Sequence, residues 1–177
     1  QICQFFIRSD DDILIIAAIR CVGKHYLFSN EYLCVDFFKI MKCVDSVNDE
    51  LSYISLWFLN TVLAINSDMI YRIETSGDIY KILSSVPDSS KTIKCKYEAC
   101  FGMISILKNG NYEQIECAIK ANFIGQMLAL VDIVIDKDKD FDGKIIRAVD
   151  FLLNDKKLNL PNKVELKKLC WMQFYNA

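Results

Sequence analysis

The chain has 177 residues, 53% hydrophobic and 25% charged, which is enough for one compact core or a short solenoid. Its net charge of −2 argues against a nucleic-acid binder, which normally shows a basic patch. The longest apolar runs, such as Ile13 to Ile19, are far too short to span a bilayer.

The first residue is Gln1 rather than Met, so a fragment of a longer protein is expected, and no signal-peptide pattern is present. Gln1 to Arg8 reads as the end of a short helix. Ser9-Asp10-Asp11-Asp12 is a helix N-terminal signal, because acid is favoured at the positive end of the macrodipole. The helix Ile13 to Lys24 follows. At about 100° per residue its apolar ridge is Ile15, Ala18, Ile19 and Val22, opposed by Ala17, Arg20, Gly23 and Lys24. His25, the one histidine, is expected just past the helix end as a surface or capping residue.

Short helices are expected over Asn30 to Val35 and Asp36 to Val44, then a polar turn at Asp45 to Asp49. The second long helix is Leu51 to Ile65. It puts Ser52, Leu56, Leu59 and Leu63 on one side, with Tyr53, Trp57, Asn60, Thr61 and Ala64 on the other. Asp68 to Ser76, a break at Gly77 and Ile79 to Val86 give two more short helices, closed by the turn Val86-Pro87-Asp88-Ser89-Ser90. The third long helix begins at Lys96 and stops at Asn109-Gly110. Ala99, Cys100, Met103, Ile106 and Leu107 form its ridge. Tyr97, Glu98, Phe101, Ser105 and Lys108 face away. Short helices at Tyr112 to Ala121 and from Phe123, a weaker copy from Lys144, Pro161 and a last helix over Asn162 to Tyr175 complete the chain. No strand-like alternation appears. The chain reads as all-α.

One long helix and two short ones recur at roughly 40 to 47 residues, the mark of armadillo/HEAT solenoids. The stretch KYEACFGMISILKNGNYEQIECAIKANFIGQML resembles an armadillo repeat of importin alpha, the adaptor for nuclear localisation signals. That family repeats E-A-x-W-x-x-x-N-x-x-x-G, then E-Q-I, then I-x-x-A-x. This chain has Glu98-Ala99-Cys100-Phe101, then Glu113-Gln114-Ile115, then Ile119, Ala121 and Asn122. The opening, ICQFFIRSDDDILIIAAIRCVGK, is similar to the stretch in which Arg replaces the Trp. The resemblance spans residues 2 to 155.

It implies an all-α, right-handed armadillo-repeat solenoid of about four repeats. The expected layout is one domain over residues 1–177, with a partial repeat at 1–25, repeats at about 29–65, 66–109 and 111–155, and a C-terminal helix at 162–175. The implied function is a nuclear import adaptor that binds basic nuclear localisation signals in the concave groove, this being the half with the minor site. The alternative is an armadillo interaction scaffold without signal recognition. The resemblance places a ladder of stacking side chains at Arg20, Trp57 and Phe101, with one-turn-later partners at Lys24, Thr61 and Ser105. Asn60 lies at the stripe's edge, and Glu98 matches an acidic residue beside the minor site. None of the three partner positions is the family's Asn. Lys24 puts a positive charge where a basic peptide should lie.

The implied partners are cargo proteins with basic signals, an importin beta-type receptor through an N-terminal arm, and an export receptor through the C-terminal repeats. Nucleic acid and membrane are not expected partners. The implied location is cytoplasm and nucleus.

Other chemistry is weakly supported. The eight cysteines form no C-x-x-C pair and read as small core residues in a reducing compartment. With a single histidine, neither a zinc site nor a Ser-His or Cys-His device has its ligands. No G-x-S-x-G, P-loop, G-x-G-x-x-G or H-E-x-x-H occurs, so the expectation is a binding module without cofactor, not an enzyme. Asp138 to Ile145 matches the first eight positions of an EF-hand loop, but the twelfth, Val149, lacks the bidentate carboxylate. It reads as an acidic turn, with a weak calcium site as the alternative.

Overall fold

The computed structural model describes residues 2–29, 35–65 and 79–111, with further single positions up to residue 147. The chain divides into two compact units, residues 1–121 and 122–177. The expected helix at Asp68 to Ser76, the EF-hand-like motif as a whole, the break at Pro161 and the helix over Asn162 to Tyr175 lie outside the described residues.

In the first unit six helices are described: α1 (Ile2–Ile7), α2 (Asp12–Ser29), α3 (Phe37–Val44), α4 (Asp49–Ile65), α5 (Ile79–Ser84) and α6 (Ile93–Asn109). No strand occurs among the described residues. Each short helix packs on the long helix that follows it, α1 on α2, α3 on α4 and α5 on α6. The long helices stack in turn, with α4 between α2 and α6. The result is three successive layers of one short and one long helix.

The helix ends follow local chemistry. Asp11 Oδ1 accepts the Ile13 amide at 2.9 Å, and Ser9 Oγ accepts the Asp11 amide at 3.0 Å. Asp36 caps α3 by accepting the Lys39 amide. Asn48 caps α4 through the amides of Glu50 and Leu51, and its own side-chain amide donates to Asp12 Oδ2 at 2.8 Å, tying the starts of α2 and α4 together. At the end of α6 the Gly110 amide donates to the Ile106 carbonyl. Gly110 has an extended backbone, φ −70°, rather than a left-handed one. A glycine is needed there because a Cβ would fall 2.6 Å from that same carbonyl oxygen.

The core sits where the expected ridges meet. Ile15, Ala18, Ile19 and Val22 of α2, Leu56, Leu59 and Leu63 of α4, and Ala99, Cys100, Met103, Ile106 and Leu107 of α6 are all buried. Phe58 lies at the centre of the first two layers, edge-on to Tyr26 at 5.9 Å and beside Phe37 at 5.7 Å. The helix α2 therefore runs five residues past Lys24. Gly23 costs about 1 kcal/mol inside a helix, but buried Tyr26 lies beyond it and packs on Phe58. His25 accordingly lies within the helix, not after it. The helix α6 begins three residues before Lys96 and includes Cys95, which is fully buried.

The turn between α5 and α6 is anchored by one ammonium group. Lys91 Nζ donates to the carbonyls of Val44 at 2.7 Å and Ser46 at 3.1 Å and to Ser52 Oγ at 2.9 Å. The turn itself is closed by Asp88, whose Oδ1 accepts both the amide and the hydroxyl of Ser90.

In the second unit, Asn122 has a left-handed backbone (φ 64°), and its carbonyl accepts the Gln126 amide at 3.1 Å.

Candidate functional site

The outward stripes of α2, α4 and α6 form one face of the first unit. Arg20 is exposed on α2 and pairs through Nη2 with Glu50 Oε1 of α4, both side chains about half exposed. Lys24, one turn on, is exposed. Gly23, expected on this outward side, is buried instead, and the reason is steric. A Cβ there would fall 2.4 Å from Cζ3 and 2.6 Å from Cη2 of Trp57. The six-membered ring of the indole thus lies against the α2 backbone, and Trp57 is half-buried.

Beside it stands Tyr53, also half-buried. Burial raises its phenol pKa, the carboxylates of Glu98 and Glu50 raise it further, and the Arg20 guanidinium opposes them. These four groups converge from three helices.

Between α4 and α6 runs a line of polar contacts. Asn60 Nδ2 donates to Glu98 Oε2 at 3.0 Å, and Ser105 Oγ lies 3.2 Å from Asn60 Oδ1. The amide nitrogen is fixed by the carboxylate across the layer. Glu98 is half-buried. Burial pushes its carboxyl pKa above the usual glutamate range, and the Asn60 hydrogen bond pulls partly back. Among the described residues Glu98 has no ion-pair partner.

The resemblance put Thr61 and Ser105 where a ligand backbone would bond, and the structure places their hydroxyls otherwise. Both side chains are buried, at 7% and 8% exposure. Thr61 Oγ1 lies 2.9 Å from the Trp57 carbonyl, and Ser105 Oγ lies 2.9 Å from the Phe101 carbonyl. Short hydroxyl side chains inside a helix commonly bond back four residues in this way. Phe101 is half-buried on the same face.

The face thus brings together Arg20, Trp57, Asn60, Glu98 and Phe101 and turns Thr61 and Ser105 inward. Two contributors had no sequence motif, Glu50 and Gly23. Asn109 is a third residue that links layers, its side-chain amide lying 3.3 Å from the Leu63 and Ala64 carbonyls at the end of α4.

Among the described residues no cluster of His, Cys, Asp and Glu could hold a metal ion, and no helix is long and apolar enough to cross a membrane. Cys43, Cys95 and Cys100 are buried. Burial alone pushes the Cys100 thiol up to about 12, so it is not a nucleophile at neutral pH.

No protein-family model matches the sequence, and no curated protein matches it. Solved structures do. A designed armadillo repeat protein in complex with the peptide (KR)4 superposes with a TM-score of 0.68 at 15% identity, covering 96% of this chain and 68% of that one. Two crystal structures of engineered proteins match at TM-scores of 0.67 and 0.65, with 16% and 15% identity. They cover 96% and 83% of this chain, which spans 67% and 59% of theirs. The fold is an all-α armadillo-type solenoid.

Proposed function

We propose that the α2–α4–α6 face is the peptide groove of an armadillo interaction scaffold. It takes an extended segment through a basic side chain, whose stem lies between Trp57 and Phe101 and whose head reaches Glu98. The observation that carries this reading is Glu98 itself, a half-buried carboxylate held by Asn60 with no cation beside it among the described residues. A desolvated carboxylate is costly unless something positive completes it. Equivalent positions on adjacent layers lie about 8–10 Å apart, the usual spacing of packed helices. That gap admits one aliphatic stem between two rings, with a cation–π component. The designed armadillo repeat protein solved in complex with the peptide (KR)4 supports a basic ligand.

The test is fluorescence anisotropy with an extended Gly/Ser peptide carrying one or two lysines. Glu98→Gln should weaken binding several-fold without lowering the melting temperature, and Trp57→Ala should weaken it several-fold while the chain still unfolds cooperatively. Leu59→Ala should do the reverse, costing about 2–5 kcal/mol of stability. A Glu98→Gln protein that binds as tightly as the parent would sink the reading.

A finer version is the nuclear import adaptor, with cargo signals as ligands and a life divided between cytoplasm and nucleus. Its support is the resemblance around Glu98-Ala99-Cys100-Phe101 and Glu113-Gln114-Ile115. A bipartite basic signal peptide should then bind more tightly than its alanine-substituted control, with affinity that falls as salt rises. Equal binding of the two would leave the general scaffold.

A further inference from the structure

We infer that this groove reads a segment of mixed charge, with a basic residue at Glu98 and an acidic residue at Arg20 and Lys24, at most about five or six positions away along the ligand. The inference rests on the peptide-groove reading above and names the ligand that suits it.

Three equivalent pairs of positions recur on the long helices, the two members of each one helical turn apart. On α4 and α6 the pairs are an aromatic ring followed by a hydroxyl, Trp57 with Thr61 and Phe101 with Ser105. On α2 both members are cations, Arg20 and Lys24, and both are exposed. Residues four apart on a helix share a side, so the two charges stand together at the α2 end. Arg20 is not a swinging charge, because Glu50 anchors it through Nη2. A guanidinium carries five N–H donors, and those not used by Glu50 remain for an incoming acid. Lys24 has no ion-pair partner among the described residues.

Two consequences follow for a ligand. A segment that is basic along its whole length meets repulsion at α2. A segment that turns acidic there gains two donors instead. Arg20 and Glu50 match each other's charge, so the net positive charge at this end is that of Lys24, and Arg20 adds its remaining N–H donors. The spacing comes from the stack. Two layers of about 8–10 Å separate α2 from α6, and an extended chain advances about 3.3 Å per residue. Arg20 and Glu98 both lean toward α4, at Glu50 and Asn60, so the acid and the base of the ligand stand at most about five or six residues apart.

The experiment uses the full chain and three labelled Gly/Ser peptides of equal length. One carries two lysines only. The others add a glutamate six residues to the N-terminal or the C-terminal side. One of the two glutamate peptides should bind about fivefold tighter than the lysine-only peptide, as an exposed ion pair allows. Lys24→Glu should erase that gain, while Lys108→Glu, at the far end of α6, should leave it. Replacing the ligand glutamate by lysine should restore tight binding to the Lys24→Glu protein. If neither glutamate peptide exceeds the lysine-only peptide, and that peptide still depends on Glu98, the mixed-charge inference is overturned and the groove stands. If no peptide binds, the groove reading and this inference fall together.

Discussion

At the scale of single residues, Glu98 is the group whose titration should be visible. Its folded-state pKa is raised, first by burial, with the Asn60 hydrogen bond opposing. The folded chain therefore holds this proton more tightly than the unfolded chain does. The stability it contributes is fully present below the unfolded glutamate value, about 4.3, and is lost as pH rises through the raised folded value. Glu98→Gln removes that loss. The variant's melting temperature should rise relative to the parent as pH increases through this window and stay parallel above it. A parent that instead loses ground to the variant on acidification would mean that a cation already holds the carboxylate. The residue was legible through the resemblance, in which Glu98 matches an acidic residue beside the minor site. Its support was less so. A one-dimensional ladder points to Thr61 and Ser105, whereas the amide that reaches across to α6 is Asn60, at the stripe's edge. Only the distance between two helices decides which polar side chain spans it. The hydroxyls found partners on their own helix first.

At the scale of elements, the long helices were readable in the spacing of their apolar residues. The buried ridges are those a 3.6-residue period gives. Their ends were harder to read, because packing overrules local preference. Tyr26 on Phe58 carries α2 through a glycine, and buried Cys95 draws the start of α6 forward. The Lys91 anchor was invisible, since a lysine after a Ser-Ser turn looks like any solvated charge. Its three acceptors belong to residues on or beside α3 and α4, far away in the chain. Lys91→Met strands the Ser46 carbonyl and removes two further bonds. A cost of about 1–3 kcal/mol is expected, read from urea unfolding. Lys94→Met, at an exposed position of α6, should stay within about 0.5 kcal/mol. Equal effects from the two substitutions would show that the anchor contributes nothing.

At the scale of the first unit, three layers in series make interactions near-neighbour in character. Ile19 of α2 and Ile106 of α6 are both fully buried and are separated by α4. Ile19→Val and Ile106→Val should each cost about 0.5–1.5 kcal/mol and add within about 0.5 kcal/mol. Asn60→Ala with Glu98→Gln should not add, because the two share one hydrogen bond. Denaturant midpoints of the single and double variants decide both cases. The recurrence of the repeat was legible from equivalent outward positions, and the solved neighbours agree with it. Which off-ridge positions serve the next layer was not legible. A helix stripe records only that a residue is off the main ridge.

The indole resting on Gly23 has an evolutionary consequence. Positions 23 and 57 are locked into one inheritance. A lineage that puts a side chain at 23 must move or shrink the ring at 57, and a lineage that loses the ring frees 23 to become an ordinary helical alanine. Related chains should therefore show glycine with tryptophan, or neither.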